Sequence, residues 1–136
     1  MNDASGLLAR NLDLQAIDDL RFEGCASGQV DFGLYGGHLL GQGVAAVHRT
    51  VEAGRHSVHA YFLRGGDGQQ PVEYVVDLVR DGRAFCTRRA VAWQNGKPIF
   101  ELLASFHSPE EGPGEYAAEM PTDAGDPETS PTFDEV

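Results

Sequence analysis

Between residues 35 and 107 the apolar positions of this chain change period once, from helical spacing to strict alternation. The first stretch is Tyr35 to Val51, YGGHLLGQGVAAVHRTV, in which Leu40, Val44, Val47 and Val51 recur at helical spacing and predict a buried stripe. Gly36, Gly37, Gly41 and Gly43 sit in its first half. Each glycine inside a helix costs about 1 kcal/mol relative to alanine. Tertiary packing must therefore hold this helix, and its bare positions let another backbone approach closely. It should end near Ala53, with Gly54 as its stop.

Four strands are predicted next. His56 to Arg64 alternates Val58, Ala60 and Phe62 against Ser57, His59 and Tyr61. Pro71 to Arg80 sets Val72, Tyr74, Val76 and Leu78 on one face. Arg83 to Gln94 sets Ala84, Cys86, Ala90 and Ala92 against Phe85, Val91 and Trp93. Lys97 to His107 aligns Phe100, Leu102, Ala104 and Phe106. Residues 65–68, GGDG, read as a turn, and Asp81-Gly82 and Asn95-Gly96 as primed hairpin turns, which gives an antiparallel meander. Upstream, Asp13 to Leu20 reads as a short helix capped by Asp13, and Arg21 to Val30 as a strand weakened by Gly24 and Gly28. A strand face of Ala and Cys beside a glycine-rich helix suits tight packing. The class is α+β, a sheet wrapped around one buried helix.

Composition changes this picture at one end only. The 136 residues suit one domain, and the net charge of −11 is unevenly placed. From Ser108 onward there are nine acids and no Lys or Arg, which leaves twelve acids against ten bases before it. That end also holds Pro109, Pro113, Pro121, Pro127 and Pro131. Residues 1–109 therefore read as the domain and 110–136 as an acidic, proline-rich tail, linker-like or disordered. The acidity argues against nucleic-acid binding. No apolar run reaches the roughly 20 residues that span a bilayer, and the start is acidic and lacks a leader core, which suggests a cytoplasmic protein. Cys25 and Cys86 lack metal or disulfide spacing, so no metal site and no cofactor is expected.

Four stretches carry a resemblance: YGGHLLGQG at 35–43, HAYFLRGGD at 59–67, LVRDGRAFCTRR at 78–89 and QNGKPIFELLASFHSPEEG at 94–112. Together they resemble the hot-dog fold, and more narrowly the N-terminal half of the acyl-CoA thioesterase II family, over about the first 120 residues. Members of that family normally carry two hot-dog repeats, with their Asp, Thr and Gln catalytic groups in the second. This chain ends where a second repeat would begin, so those groups have no counterpart here. His38 stands where the family usually has Gln after the Gly-Gly pair, and His107 where it often has Gln near the end of the last strand. The family's Leu-Arg-Pro-Gly is Leu63-Arg64-Gly65-Gly66 here. A lone repeat exposes a sheet edge, and the expected remedy is a homodimer, or a higher assembly, joined edge to edge.

The resemblance directs attention to the helix start. Unpaired N–H groups there can stabilise the oxyanion of a thioester under attack, and Gly36 and Gly37, beside Tyr35, would let acyl-CoA approach unobstructed. Residues 35–51 contain no Asp or Glu, so the acid or base that such enzymes often place on this helix is missing. His38 is the candidate base in its stead, with Gln42 one turn on to orient water. His107, with Ser105 on the same strand face, is a second candidate near the acyl site. Arg64, Arg83 and Arg88 are candidates for the phosphates of coenzyme A, against a competing role of pairing with Glu73 and Asp77. Leu39, Leu40, Phe62 and Phe106 could line an acyl pocket or simply form core. His56 and His59 face opposite ways, and His48 reads as a partly exposed helix residue.

Neither a dinucleotide or P-loop pattern nor a G-x-S-x-G elbow is present. The leading function is hydrolysis of acyl-CoA thioesters at a homodimer interface. The alternatives are a catalytically deficient acyl-CoA-binding module and a half-enzyme that needs a second-repeat partner. A hydratase would need a paired Asp and His in a suitable loop, which the sequence lacks.

Overall fold

The computed structural model describes residues 4–28, 33–52, 54–112, 114 and 116–132. Two helices and six strands follow one another as α1 (Ala4–Leu12), β1 (Gln15–Ala16), β2 (Arg21–Gly24), α2 (Gly36–His48), β3 (Gly54–Phe62), β4 (Val72–Asp81), β5 (Phe85–Gln94) and β6 (Lys97–His107). All six strands form one antiparallel sheet in the order β1-β2-β4-β5-β6-β3. Helix α2 lies on its inner face, which is the hot-dog arrangement and the α+β class expected.

The alternation along β4, β5 and β6 decides which side chains meet the helix. Val72, Tyr74, Val76, Ala90, Ala92, Phe100, Leu102, Ala104 and Phe106 are all buried, with Leu39, Ala46 and Val47 of α2 packed among them. Burying a side chain of this size contributes about 1.5–3 kcal/mol, and truncating one such as Phe106 to alanine costs about 3–5 kcal/mol. Gly43 sets the closeness of the contact: a Cβ there would lie 2.7 Å from Leu102 and 3.1 Å from Phe100. The helix is thus held by tertiary packing, as its glycine content requires.

Several expectations are corrected. The inward face of α2 is Leu39, Gln42, Gly43, Ala46 and Val47, whereas Leu40 is exposed and Val44 half-buried. The predicted stripe follows the large apolar residues, while the small and polar ones are what fit against the sheet. The helix stops at His48, short of Ala53, which lies outside the described residues, and Gly54 opens β3. No helix covers 13–20. Leu14 is buried but Ile17 is not, and the Asp18 carboxylate accepts the Leu20 N–H at 3.0 Å in a local turn, while the helix lies earlier, at 4–12. Strand β2 ends at Gly24: residues 25–28 of the predicted strand are not strand, and residues 29–30 lie outside the described residues.

The strands do not form one meander. β3 pairs with β6, so residues 63–71 cross the end of the β5-β6 hairpin instead of turning back. Asn95 and Gly96 both take positive φ, 50° and 70°, as a primed turn demands. Gly82 does not, and the β4-β5 connection runs over three residues, 82–84. The inward run of β4 stops at Val76: Leu78 is exposed, and beyond it the register slips between Leu78 and Arg80. Beyond His107 the described residues of the tail are exposed, with one 3-10 turn at Pro127–Thr129. Among the described residues no helix is long and apolar enough to cross a membrane.

Candidate functional site

Helix α2 begins without a side-chain cap. Tyr35 holds the cap position in extended conformation, φ −62° and ψ 133°, and its carbonyl accepts the N–H groups of His38 at 3.0 Å and Leu39 at 3.3 Å. The N–H groups of Gly36 and Gly37 have no acceptor among the described residues. They are the positive end of the helix dipole. The side-chain positions of the two glycines are not open, however. A Cβ on Gly36 would lie 3.1 Å from the Phe62 ring, and one on Gly37 would lie 2.4 Å from the Tyr35 ring. The expectation of an unobstructed approach is corrected: the two glycines admit two aromatic rings. Phe62 is steadied by Phe100, with ring centroids 5.1 Å apart, while Tyr35 is largely exposed.

A polar cluster lies under the first turn. The His38 Nε2 is 3.1 Å from the Cys25 carbonyl. A carbonyl only accepts, so this contact assigns the hydrogen to Nε2 and leaves the lone pair of the neutral ring on Nδ1. The Gln42 side chain is fully buried. Its Nε2 donates to the carbonyls of Asn11 at 2.9 Å and Cys25 at 3.2 Å, and its Oε1 accepts the Tyr74 hydroxyl at 3.0 Å. Gln42 is therefore not placed to orient a water. It ties α1, β2 and the sheet to the helix, and Gly24 is bare because a Cβ there would sit 2.2 Å from Gln42 Oε1. Burial pushes the Tyr74 phenol well above its ordinary range, with the nearby Cys25 adding to the effect, so the group stays a neutral donor.

Nothing in the sequence pattern marks Cys25 or Asn11 for this cluster. Only Tyr74 carried a signal, since a hydroxyl on an otherwise apolar inward face requires a buried partner. Among the described residues no buried side-chain nitrogen or oxygen lacks one.

His38, Tyr35 and Gly37 border a cleft of about 430 Å³ between α1 and the start of α2. A larger apolar groove of about 790 Å³ adjoins it and runs along α2 past Leu40, Val44 and Val58 to His48. Gly37, Gly41 and Leu12 border both. Of the four expected lining residues, Leu39 and Phe106 are core, and Leu40 and Phe62 are exposed.

The remaining candidates separate. Arg64 is exposed two residues beyond Phe62, at the helix-start end, and donates to the Pro98 carbonyl at 2.6 Å. Arg83 lies in the 82–84 connection at the opposite end of the sheet. Arg88 is corrected as a phosphate ligand. It is 4% exposed, and its guanidinium donates to the Thr50 hydroxyl and carbonyl, the Arg80 and Thr87 carbonyls and the Asp81 carboxylate. His107 pairs with Gly54 near the end of α2, seven residues along β6 from Phe100, or roughly 23 Å at strand spacing. Within one chain it therefore lies at the far end of the helix from His38, and the two candidates do not share a pocket there. Its ring lies against Phe85 and its Nε2 is 3.3 Å from Glu110. His48 is exposed, with its ring edge towards Phe106, and the side chain of His56 lies outside what is described.

Comparison with known proteins bears on this geometry. Residues 26–107 match the family described as acyl-CoA thioesterase N-terminal domain. The chain is 37% identical over 120 residues to human acyl-coenzyme A thioesterase 8, covering 87% of this chain and 38% of that protein. It is 37% identical over 114 residues to acyl-CoA thioesterase 2 of Haemophilus influenzae, covering 82% and 40%. The structure superposes on an acyl-CoA thioesterase II from Mycobacterium marinum with TM-score 0.79 and 37% identity, over 91% of this chain and 47% of that one. A phenylacetic acid degradation protein from Thermus thermophilus shares the fold at TM-score 0.64 and 16% identity, and there 98% of the relative's chain is covered. The chain thus spans about two-fifths of the length of these two curated relatives. With its hot-dog topology and the match over 26–107, this chain belongs to the acyl-CoA thioesterase N-terminal domain family.

Proposed function

We propose that this domain hydrolyses acyl-CoA thioesters at a site completed by a second hot-dog unit, most simply another copy of the chain. The observation that carries this reading is the uncapped start of α2, with two N–H groups lacking acceptors beside a histidine in a cleft. His38 Nδ1 takes a proton from water, and the water oxygen attacks the thioester carbonyl. The Gly36 and Gly37 N–H groups hold the oxyanion. The carbon–sulfur bond then breaks, and the imidazolium returns its proton to the coenzyme A thiolate, leaving free acid. Arg64, at the same end of the sheet, meets the phosphates of coenzyme A.

The second unit is supported by β3. It is an edge strand carrying exposed Val58, Tyr61 and Phe62. An antiparallel join of two β3 strands sets the Gly54 end of one beside the Phe62 end of the other. That brings the end bearing His107 and Arg83 of the second unit towards the helix start of the first. In this assembly the acidic tail, 110–136, serves as a linker-like extension.

The test is release of free thiol from a panel of acyl-CoA substrates. His38→Ala should lower turnover by about 10²–10⁴-fold with the dimer intact. Unchanged turnover would reject His38 as the base. A second reading, binding of acyl-CoA without hydrolysis, is favoured by the absence of any Asp or Glu from 35–51. Retained binding with no thiol release from the unmodified chain would establish it.

A further inference from the structure

Gln94 ends β5 with its side chain almost wholly buried and both ends of its amide engaged. Its Oε1 accepts the Asp67 N–H at 2.8 Å. Its Nε2 donates to the carbonyls of Asp67 at 3.0 Å, Gln70 at 3.1 Å and Pro71 at 3.2 Å, two hydrogens shared among three acceptors. One side chain thereby fixes the shape of the crossing that joins β3 to β4.

That crossing holds the chain on either side of the approach to α2. The Gly66 carbonyl accepts the Leu34 N–H at 3.1 Å, and the Gly68 carbonyl accepts the Gly28 N–H at 2.9 Å. The fit is close: a Cβ on Gly66 would lie 2.5 Å from Leu34 Cδ1, 3.0 Å from Ile99 Cδ1 and 3.2 Å from Gln94 Oε1. Leu34 immediately precedes Tyr35, the cap of the helix whose first two N–H groups lack acceptors. Without a side-chain cap, the direction of those groups depends on the backbone that enters the helix.

We infer that Gln94 is a positioning residue: through the Gly66 and Gly68 carbonyls it fixes the entry of α2 and so aims the Gly36 and Gly37 amides. Its catalytic consequence rests on the thioesterase reading, while its structural link does not. A polar group suits this task better than an apolar one, because it bonds the Asp67 N–H and the Gln70 and Pro71 carbonyls at once, and adds to the Gln70 N–H a second donor for the Asp67 carbonyl.

The experiment compares Gln94→Met, close to glutamine in volume, with the unmodified chain in two measurements. Amide hydrogen exchange on the full chain should rise about tenfold or more at Leu34 and Gly28, whose N–H groups are bonded to the crossing, with Val47 and Phe106 unchanged. Thiol release from acyl-CoA should show kcat reduced about tenfold with KM within about twofold. Gly66→Ala strikes the same link from the other side and should give the same pattern, which keeps the test open if Gln94→Met does not fold. Unchanged exchange at Leu34 and Gly28, or exchange that rises equally throughout the sheet, overturns the inference. Local exchange with unaltered kcat overturns the positioning role. If the unmodified chain shows no thiol release at all, the thioesterase reading fails, and the exchange pattern alone decides whether Gln94 sets the helix entry.

Discussion

The two ends of α2 are built on opposite rules. At the C-terminal end the carbonyls of Ala45, Ala46, Val47 and His48 all accept hydrogen bonds. The Arg49 N–H reaches the Ala45 and Ala46 carbonyls, Thr50 meets the Val47 carbonyl through both its N–H and its hydroxyl, and Arg88 fastens Thr50 to Asp81. A positive guanidinium there also suits the negative end of the helix dipole. At the N-terminal end no side chain caps the helix, and two exposed rings lie over bare glycines. Chemistry is possible where hydrogen bonding is left incomplete, and stability is concentrated where it is complete.

Of the two ends, the saturated one should lose the more stability when broken. Arg88→Leu removes five hydrogen bonds from one buried side chain and strands the Thr50 groups it served. Asp81 stays largely exposed and rehydrates, which limits the loss. The expected cost is about 3 kcal/mol, read as a lower midpoint in urea with an unchanged slope. A loss below about 1 kcal/mol would show that this end is no better built than the other.

Gln42→Leu should follow at about 2 kcal/mol, because it leaves the Asn11 carbonyl and the Tyr74 hydroxyl without their partner. This tests whether the N-terminal end, unfinished at its tip, is anchored one turn below. An effect near zero would mean that the cluster only fills space.

Tyr74 gives the same comparison a pH axis. Its phenol is raised in the folded state by burial, so the folded protein keeps a proton that the unfolded chain releases near pH 10. Above that pH the unfolded state binds fewer protons, and stability falls as pH rises, by about 1.4 kcal/mol per unit from this group. Denaturation in urea between pH 9 and 11 should show the slope, and Tyr74→Phe should flatten it. Below pH 9 the group contributes no pH dependence.

How much of this was legible in the sequence follows from the range of the interactions. β6 was readable to the residue because its alternation is local and Asn95-Gly96 fixes its start. The existence of α2 was readable, but its inward face was not, since Gln42, Gly43 and Ala46 carry no large apolar group to announce it. The partner of β3 was hidden because pairing with β6 depends on residues some forty positions apart, such as Ala60 and Leu102. The site divides likewise. Tyr35 to His38 were visible as a glycine-rich helix start, while the ties of His38 and Gln42 to Cys25 span a loop with no local pattern. Arg88 looked like any arginine on a strand, and only its burial against Thr50 and Asp81 gives it a structural task.

The smallest effect on stability should come from the residue with the largest proposed effect on turnover. The Cys25 carbonyl accepts from both His38 and Gln42, so removing the imidazole leaves that acceptor still paired through Gln42. The cost of His38→Ala is then one neutral hydrogen bond at a half-exposed position, about 0.5–1 kcal/mol. Urea denaturation of this variant beside Gln42→Leu decides the matter. A small loss for His38→Ala and a large one for Gln42→Leu separates a group kept for chemistry from a group kept for the fold, one helical turn apart. Equal losses would mean that His38 is a second anchor of the Cys25 backbone, and its claim to act as a base would then rest on kinetics alone.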